Sequence, residues 1–471
     1  MDNIKNLKST SDGWRGVTAD TFTYKEVGLI ASAVAKYIIT RGYNKKIIIS
    51  YDTRFLGEKF AQKAAQVFKE NAIIPLVTIS PIPTPLLSFR VKQLGYPCGI
   101  SITASHNPYN HNGIKLRMNY GGAPTPQIVK EVESFLPLSS PEIRTAGAIN
   151  FDNPLKDYVE YMRSLVDMES IHFSKAKILI DPMYGTTAGL LRKILETTSV
   201  SVDEIHANPD PYFGGANPEP QNKTTLELQK AVSASRYDLG IAHDGDGDRL
   251  TATLPDIGYL SPHDISAVLL WYLVKKRKLT GKVIGSLTLS RRLSRLSEYF
   301  GLKYMEIPIG FHHATALMLQ GDVVIAAEEN GGIGFGFHLP ERDATLAALI
   351  LLEAEVKVTG GIAYILGDIE KISGRSGFCR LNINLDSNRI ECLKELHNNI
   401  PKELTGIKVR KINDADGLKI FLTNGDWVCI RVAGTEDLLR IYAEAGDDAL
   451  AEQLSNEAAL LVKKIDGKLA R

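Results

Sequence analysis

Four cysteines in 471 residues, Cys98, Cys379, Cys392 and Cys429, form no CxxC pair and are too few to staple a chain of this length. A disulfide framework is excluded, and reduced, buried thiols are expected. The chain also lacks an excess of either charge: 55 basic residues stand against 54 acidic ones, a net of +1. That balance argues against a general nucleic-acid or polyanion binder and leaves room for local charged pockets. No run approaches the ~20 apolar residues that span a bilayer. The N-terminal "MDNIKNLKSTSDGWRG" has no apolar stretch that could act as a signal peptide. A soluble, cytoplasmic protein with no membrane and no nucleic-acid partner is expected.

What is present is a β/α alternation. The runs "KKIIISYD", "AIIPLVTI", "CGISITAS", "AKILIDP", "DLGIAHD" and "GDVVIAAEE" are near-continuously apolar and separated by helical patterns such as "EKFAQKAAQVFKEN". Such strands indicate doubly wound, largely parallel α/β sheets. Turn-rich stretches near Asn150–Pro154, at Asp256–Gly258 and around Gly367–Gly377 read as boundaries. The last hundred residues differ: "LKIFLTNGDWVCIRV" alternates around Asn424–Gly425, a hairpin signal, so an α+β domain is expected there.

Open α/β sheets bind ligands outside the carboxyl ends of their strands. Three chemically loaded loops follow strands here: "TASHNP" (Thr103–Pro108), "DGDGDR" (Asp244–Arg249) and "EENGG" (Glu328–Gly332). Each alone reads as an ordinary polar turn; three together do not. Carboxylates at Asp244, Asp246 and Asp248 repel one another unless a divalent cation neutralises them. An EF-hand is excluded, because its sixth and twelfth positions fall on Arg249 and Pro255. A fourth loop, "RVAGTEDLLR" (Arg431–Arg440), combines two arginines, Thr435 and Gly434 in a manner suited to a phosphate dianion. "GGIGFG" lacks the spacing of a dinucleotide loop.

With these four loops in this order, the chain resembles the α-D-phosphohexomutase family of phosphoglucomutases and phosphomannomutases. "TSDGWRGV" (Thr10–Val17), "YFGGANPEP" (Tyr212–Pro220) and "HLPERD" (His338–Asp343) extend the resemblance over essentially the whole chain. It implies four domains around a central cleft: α/β domains at 1–153, 154–257 and 258–368 with mixed or parallel sheets, and an α+β domain at 369–471. It also implies interconversion of hexose 1-phosphate and hexose 6-phosphate through an enzyme phosphoserine, with a hexose 1,6-bisphosphate as intermediate and activator.

By the same resemblance Ser105 carries the phosphoryl group, and Asp244, Asp246 and Asp248 bind Mg2+ together with the oxygen on Ser105. Lys115 matches the general base, Arg15 lies near the transferring phosphate and Arg249 beside the metal. His106 either hydrogen-bonds near the reacting oxygens or holds the loop. Glu328 holds two sugar hydroxyls with Asn330 in the same loop, and Arg431, Gly434, Thr435 and Arg440 hold a phosphate. The expected partners are small-molecule sugar phosphates, and the expected state is a monomer or homodimer.

Departures fall in three of the substrate-reading stretches. Asn330 and Ala433 stand where the family usually has Ser, Asp437 where it has Pro, and "DAT" (Asp343–Thr345) where it has D-G-I. They leave two rivals to a mutase: a sugar-phosphate phosphatase using the same serine, and a weakly active regulatory homologue. "GFHH" (Gly310–His313) and the "EENGG…HLPERD" region are nearer to phosphoglucomutase-like members than to phosphoglucosamine mutases, so glucose is favoured and mannose allowed.

Overall fold

The computed structural model describes residues 9–10, 12–136, 148–433 and 438–469. The sequence-predicted Gly434 and Thr435, and Asp437 with them, lie outside the described residues. By compactness the chain divides into two units, one of residues 1–282 and 310–366, the other of 283–309 and 367–471.

The first unit contains a six-stranded sheet in the order Trp14–Val17, His111–Met118, Cys98–Ile102, Lys46–Tyr51, Ile74–Thr78, Asn150–Asp152. Its middle is parallel, as continuous apolar runs require: Lys46–Tyr51 lies parallel to both Ile74–Thr78 and Cys98–Ile102. His111–Met118 then returns antiparallel to Cys98–Ile102, which makes the sheet mixed. The helix Gly57–Glu70 buries Phe60, Ala61, Ala64, Ala65, Val67 and Phe68, a single stripe at helical spacing. That stripe joins Ile47, Ile49, Ile100 and Ile102 in one core.

A second sheet of five strands runs Gly258–Leu260, Leu250–Leu254, Leu239–His243, Lys177–Asp181, Ser201–Glu204. Two of the stretches read as boundaries belong to these sheets. Asn150–Asp152 is an edge strand parallel to Ile74–Thr78, and Asp256–Ile257 is the turn between two antiparallel strands.

The first unit also holds the antiparallel pair Val323–Ala327 and Ile333–Phe335. The helix Ala344–Lys357 is apolar on every face and buried from Ala344 to Ala354, the pattern of a central helix. Asp343 caps it by accepting from Leu346 N (3.0 Å), and also accepts from Tyr158 (2.6 Å) and pairs with His338 (3.0 Å). The aspartate of the "DAT" departure is thus kept for a structural task.

The second unit begins within the strand Lys282–Ser286, which from Val283 onward lies parallel to Tyr304–Ile307. A six-stranded sheet there runs Gly377–Asn384, Leu438–Ala445, Trp427–Val432, Leu418–Leu422, Ile407–Asn413, Glu403–Leu404. Leu418–Leu422 and Trp427–Val432 form the hairpin expected around Asn424–Gly425, where Gly425 adopts φ +92°. Buried Glu444 accepts hydrogen bonds from Ser290 (2.5 Å), the amide of Arg291 (2.8 Å) and the indole of Trp427 (2.6 Å). No helix of the described residues is long and apolar enough to cross a membrane.

Candidate active site

All three strand-end loops lie in the first unit, and hydrogen bonds join them. Ser105 Oγ donates to Asp244 Oδ2 at 2.9 Å, which links the "TASHNP" and "DGDGDR" loops. Arg249 and Gly332 form an antiparallel bridge, and Leu250 N donates to Gly331 O at 3.2 Å, which links the "DGDGDR" and "EENGG" loops. Only glycine suits position 331, where φ is +92° and a Cβ would lie 2.5 Å from Leu250 O.

The three aspartates are fully buried, and one oxygen of each lies within 4.8 Å of the others. Asp244 Oδ1 accepts from the amides of Asp248 (3.0 Å) and Arg249 (3.1 Å). Asp246 Oδ2 accepts from Thr84 Oγ1 at 2.5 Å. Asp246 Oδ1 and Asp248 Oδ1 are buried without a hydrogen-bond partner. Burial and the charges of Asp248 and Asp246 push the Asp244 carboxyl well above its usual range. Asp246 is held low, because Lys115 and Thr84 outweigh the burial that opposes its ionisation. A convergent set of hard oxygen ligands with two orphaned oxygens fits a divalent cation of the Mg2+ or Ca2+ kind.

Cations surround this cluster. Lys115 Nζ lies 2.7 Å from Asp246, 2.7 Å from Asp248 and 3.0 Å from Asp12, so each ammonium hydrogen has a carboxylate. Burial alone would favour the neutral amine, but Asp12, Asp246 and Asp248 outweigh it and keep the proton on. Arg342 reaches Asp12 (2.6 Å), Asp248 (2.7 Å) and Glu328 (3.3 Å). Arg117 pairs with Asp12 at 2.9 Å and with the buried Glu341.

Nearer Ser105, Arg15 donates to Asn107 Oδ1 at 2.6 Å and to Ala104 O at 3.3 Å. Arg15 Nε, Arg249 Nε and His106 Nδ1 are buried without hydrogen-bond partners. Burial, reinforced by Arg249, Arg15, Lys115 and Arg54, drives the His106 pKa far down, so its imidazole is neutral. His106 Nδ1 makes no hydrogen bond to the loop. Arg15 Nε and Arg249 Nε are thus cationic donors with no hydrogen bond, a feature that suits an anion, and Arg249 Nε also lies 3.7 Å from Asp248 Oδ1.

Glu328 is buried, which raises its pKa; it accepts from Gly310 N (3.1 Å) and Arg342. Asn330 Oδ1 accepts from Gly332 N at 2.9 Å, so the residue in the usual serine position also folds its own loop. In the second unit, Arg431 and Arg440 are direct partners across two antiparallel strands, which puts them on one sheet face. Arg431 pairs with Asp416 at 3.2 Å, and Asp416 also accepts from Ile309 N at 2.9 Å. Ala433 is buried, and its amide donates to Leu438 O at 3.0 Å.

Sequence reading left several residues of this network without roles: Asp12, Asp52, Arg54, Thr84, Arg117, Glu341 and Arg342. Arg54 had a readable signal, since "YDTR" follows an apolar strand just as the three chosen loops do. The ion partners of Arg117 and Arg342 come from distant segments, and no local pattern announces them.

Four sequence profiles match in series. They are Phosphoglucomutase/phosphomannomutase, alpha/beta/alpha domains I, II and III, over residues 6–137, 156–256 and 261–369, and the C-terminal domain over 392–461. A phosphoglucosamine/phosphogalactosamine mutase of Sulfurisphaera tokodaii is 27% identical, covering 97% of this chain and 99% of the relative. A phosphoglucomutase/phosphomannomutase of Thermococcus kodakarensis is 24% identical, covering 94% and 95%. A crystal structure of a protein assigned as a phosphomannomutase, from Thermus thermophilus, superposes with a TM-score of 0.88 at 29% identity, over 97% of this chain and 99% of its own. The names divide between amino sugars and plain hexoses, so similarity does not set the sugar or uphold a preference for glucose. The four domains occur in order along nearly the whole chain: the protein belongs to the α-D-phosphohexomutase family, isomerases that act by intramolecular phosphoryl transfer.

Proposed function

We propose that the protein interconverts hexose 1-phosphate and hexose 6-phosphate, with Ser105 as phosphoryl carrier. The observation that carries the reading is the 2.9 Å contact of Ser105 Oγ with Asp244, among three buried carboxylates and orphaned cationic donors. Phosphoryl transfer asks mainly for positioning and charge stabilisation, and these groups supply both. A phosphoryl group on Ser105 passes to the free hydroxyl of a hexose monophosphate. The new sugar O–P bond forms as the Oγ–P bond breaks, and the sugar hydroxyl proton, taken up by Lys115 in its neutral form, ends on the departing Ser105 Oγ. The resulting hexose 1,6-bisphosphate turns over and returns its other phosphoryl to Ser105, whose hydroxyl proton passes to the departing sugar oxygen.

Asp244, Asp246 and Asp248 are the proposed holders of Mg2+, which when bound neutralises charge on the transferring group. A cation held by Asp246 and Asp248 would draw their charge from Lys115 and leave Asp12 as its remaining carboxylate, which would favour the neutral amine. Arg15, Arg249 and neutral His106 line the reacting phosphate. Glu328 and Asn330 contact the sugar, and Arg431, Gly434, Thr435 and Arg440 hold the non-reacting phosphate. The four-domain partition at 153, 257 and 368 belongs to the same reading. Glucose is the first substrate to test, with glucosamine and mannose beside it because relatives carry those names.

The test is conversion of glucose 1-phosphate, glucosamine 1-phosphate and mannose 1-phosphate with Mg2+ and a trace of glucose 1,6-bisphosphate. Isomerisation of at least one, lost in Ser105→Ala, is expected. Release of inorganic phosphate without isomerisation would give the phosphatase instead, and no reaction with any would give the regulatory homologue.

A further inference from the structure

Ser105 has φ +53°, a left-handed conformation that costs a non-glycine residue energy and persists only where surrounding groups enforce it. The enforcing groups can be traced through hydrogen bonds. Ser105 N donates to Thr103 Oγ1 at 2.9 Å, and that hydroxyl donates to Asp52 Oδ2 at 2.6 Å. Asp52 accepts from Arg54 Nε at 3.1 Å and from Arg54 N at 3.0 Å. Arg54 Nη2 then donates to Ser105 O at 2.6 Å. The path leaves Ser105 by its amide and returns to its carbonyl, a closed ring through Thr103, Asp52 and Arg54.

Arg54 does more than close the ring. Its remaining hydrogens go to the carbonyls of Asn107 (2.7 Å), Pro108 (2.7 Å) and His111 (3.0 Å). All five guanidinium donors are therefore used: one on Asp52 and four on the backbone of the serine loop and the strand after it. The guanidinium also stacks on Phe213 of the "YFGGANPEP" segment, 4.8 Å from the ring centre. Arg54 is 3% exposed, Asp52 2% and Thr103 0%, so water cannot replace these contacts. A buried cation bound mainly to neutral carbonyls is costly unless its geometry is needed.

We propose that Arg54, with Asp52 and Thr103, is the positioning unit that holds Ser105 in its transfer-competent conformation, a role that rests on Ser105 being the phosphoryl carrier. The unit touches neither sugar nor reacting atoms; it fixes where Oγ points. Misplacing a reacting atom by about 1 Å costs on the order of 100-fold in rate, so loss of the ring should lower kcat and leave KM in place.

The experiment compares Thr103→Val, which removes the hydroxyl at nearly constant shape, with Thr103→Ser, which keeps it. The readouts are steady-state kinetics and the rapid-quench rate of Ser105 phosphorylation by glucose 1,6-bisphosphate. Thr103→Val should slow phosphorylation by about 100-fold with KM unchanged, and Thr103→Ser should restore most of the rate. Equal rates in the two variants, both fast or both slow, would overturn the proposal. Should Thr103→Val fail to fold, Arg54→Lys decides by the same readout. Its ammonium has three donors where the loop needs four, so a folded Arg54→Lys that phosphorylates at the wild-type rate would overturn the proposal equally. Ser105→Ala separates the two readings: residual turnover in that variant defeats the carrier assignment itself, whereas full loss there with fast transfer in Thr103→Val defeats only the positioning unit.

Discussion

In the first unit Ser105, Lys115, Asp244, Asp246 and Asp248 are each 0–1% exposed, and most of their polar atoms are matched by opposite charge or a hydroxyl. In the second unit Arg431 and Asp416 keep 12% and 25% of their side-chain surface in solvent, and the neighbouring position 433 carries an alanine. The first arrangement is dry, crowded and held by several elements at once. The second is a hairpin whose arginine has a partly exposed carboxylate partner. Under the proposed function the difference fits two tasks: reacting groups gain from rigid preorganisation, whereas a phosphate grip that accepts and releases either end of one sugar gains from being weaker.

Substitutions in the two regions should therefore fail differently. The largest effect belongs to Ser105→Ala, where loss of a covalent carrier should reduce kcat by about 10⁴-fold or more. Next is removal of the metal. Excess chelator, or Asp246→Asn, should abolish turnover while circular dichroism stays that of the wild type, and added Mg2+ should restore the chelated protein only. Full activity in chelator would remove the cation from the account.

Glu341→Ala probes the same region through stability. It leaves Arg117 buried and short of a partner, a situation that costs about 3–5 kcal/mol, readable in a urea titration. A loss below about 1 kcal/mol, the level of an exposed pair, would mean that Asp12 alone compensates Arg117.

Much of this was legible in the sequence, and the reasons are local. Lys46–Tyr51, Cys98–Ile102, Leu239–His243 and Val323–Ala327 are continuous apolar runs that stop at polar loops, so strand, strand end and site could be read together. The Asn424–Gly425 hairpin was readable from turn chemistry. The three-residue edge strand Asn150–Asp152 was not, because Asn and Asp at its two ends leave no apolar run to read. Arg54 follows an apolar strand in "YDTR", but its task was not legible, because four of its partners are backbone carbonyls, which leave no mark on residue type. Arg342 was missed because its meaning comes from Asp12, 330 positions away.

Smaller effects are expected in the second unit, and on KM. Arg431→Gln removes charge-assisted bonds to phosphate, each worth roughly 1.5–3 kcal/mol, and should raise KM by about ten- to a hundredfold with a smaller change in kcat. A variant that loses kcat as steeply as Asp246→Asn would erase the distinction between the regions. Ala433→Ser should act in the opposite sense, lowering KM by about tenfold at most if the hydroxyl reaches the phosphate. A fall in kcat alongside the tighter KM would sharpen the comparison, since it would show that a looser grip speeds the turnover of the bisphosphate. An unchanged KM would place position 433 away from the phosphate.

The central claim is that Ser105 carries the phosphoryl group. Its most direct test is to incubate the protein with glucose 1,6-bisphosphate and Mg2+, then locate phosphate by intact-mass measurement and peptide mapping. One phosphoryl group on the peptide containing Thr103–Pro108, assigned to Ser105 and transferable to added glucose 1-phosphate or glucose 6-phosphate, is the predicted result. Phosphate found only on another residue, or an active enzyme that never becomes phosphorylated, would contradict it.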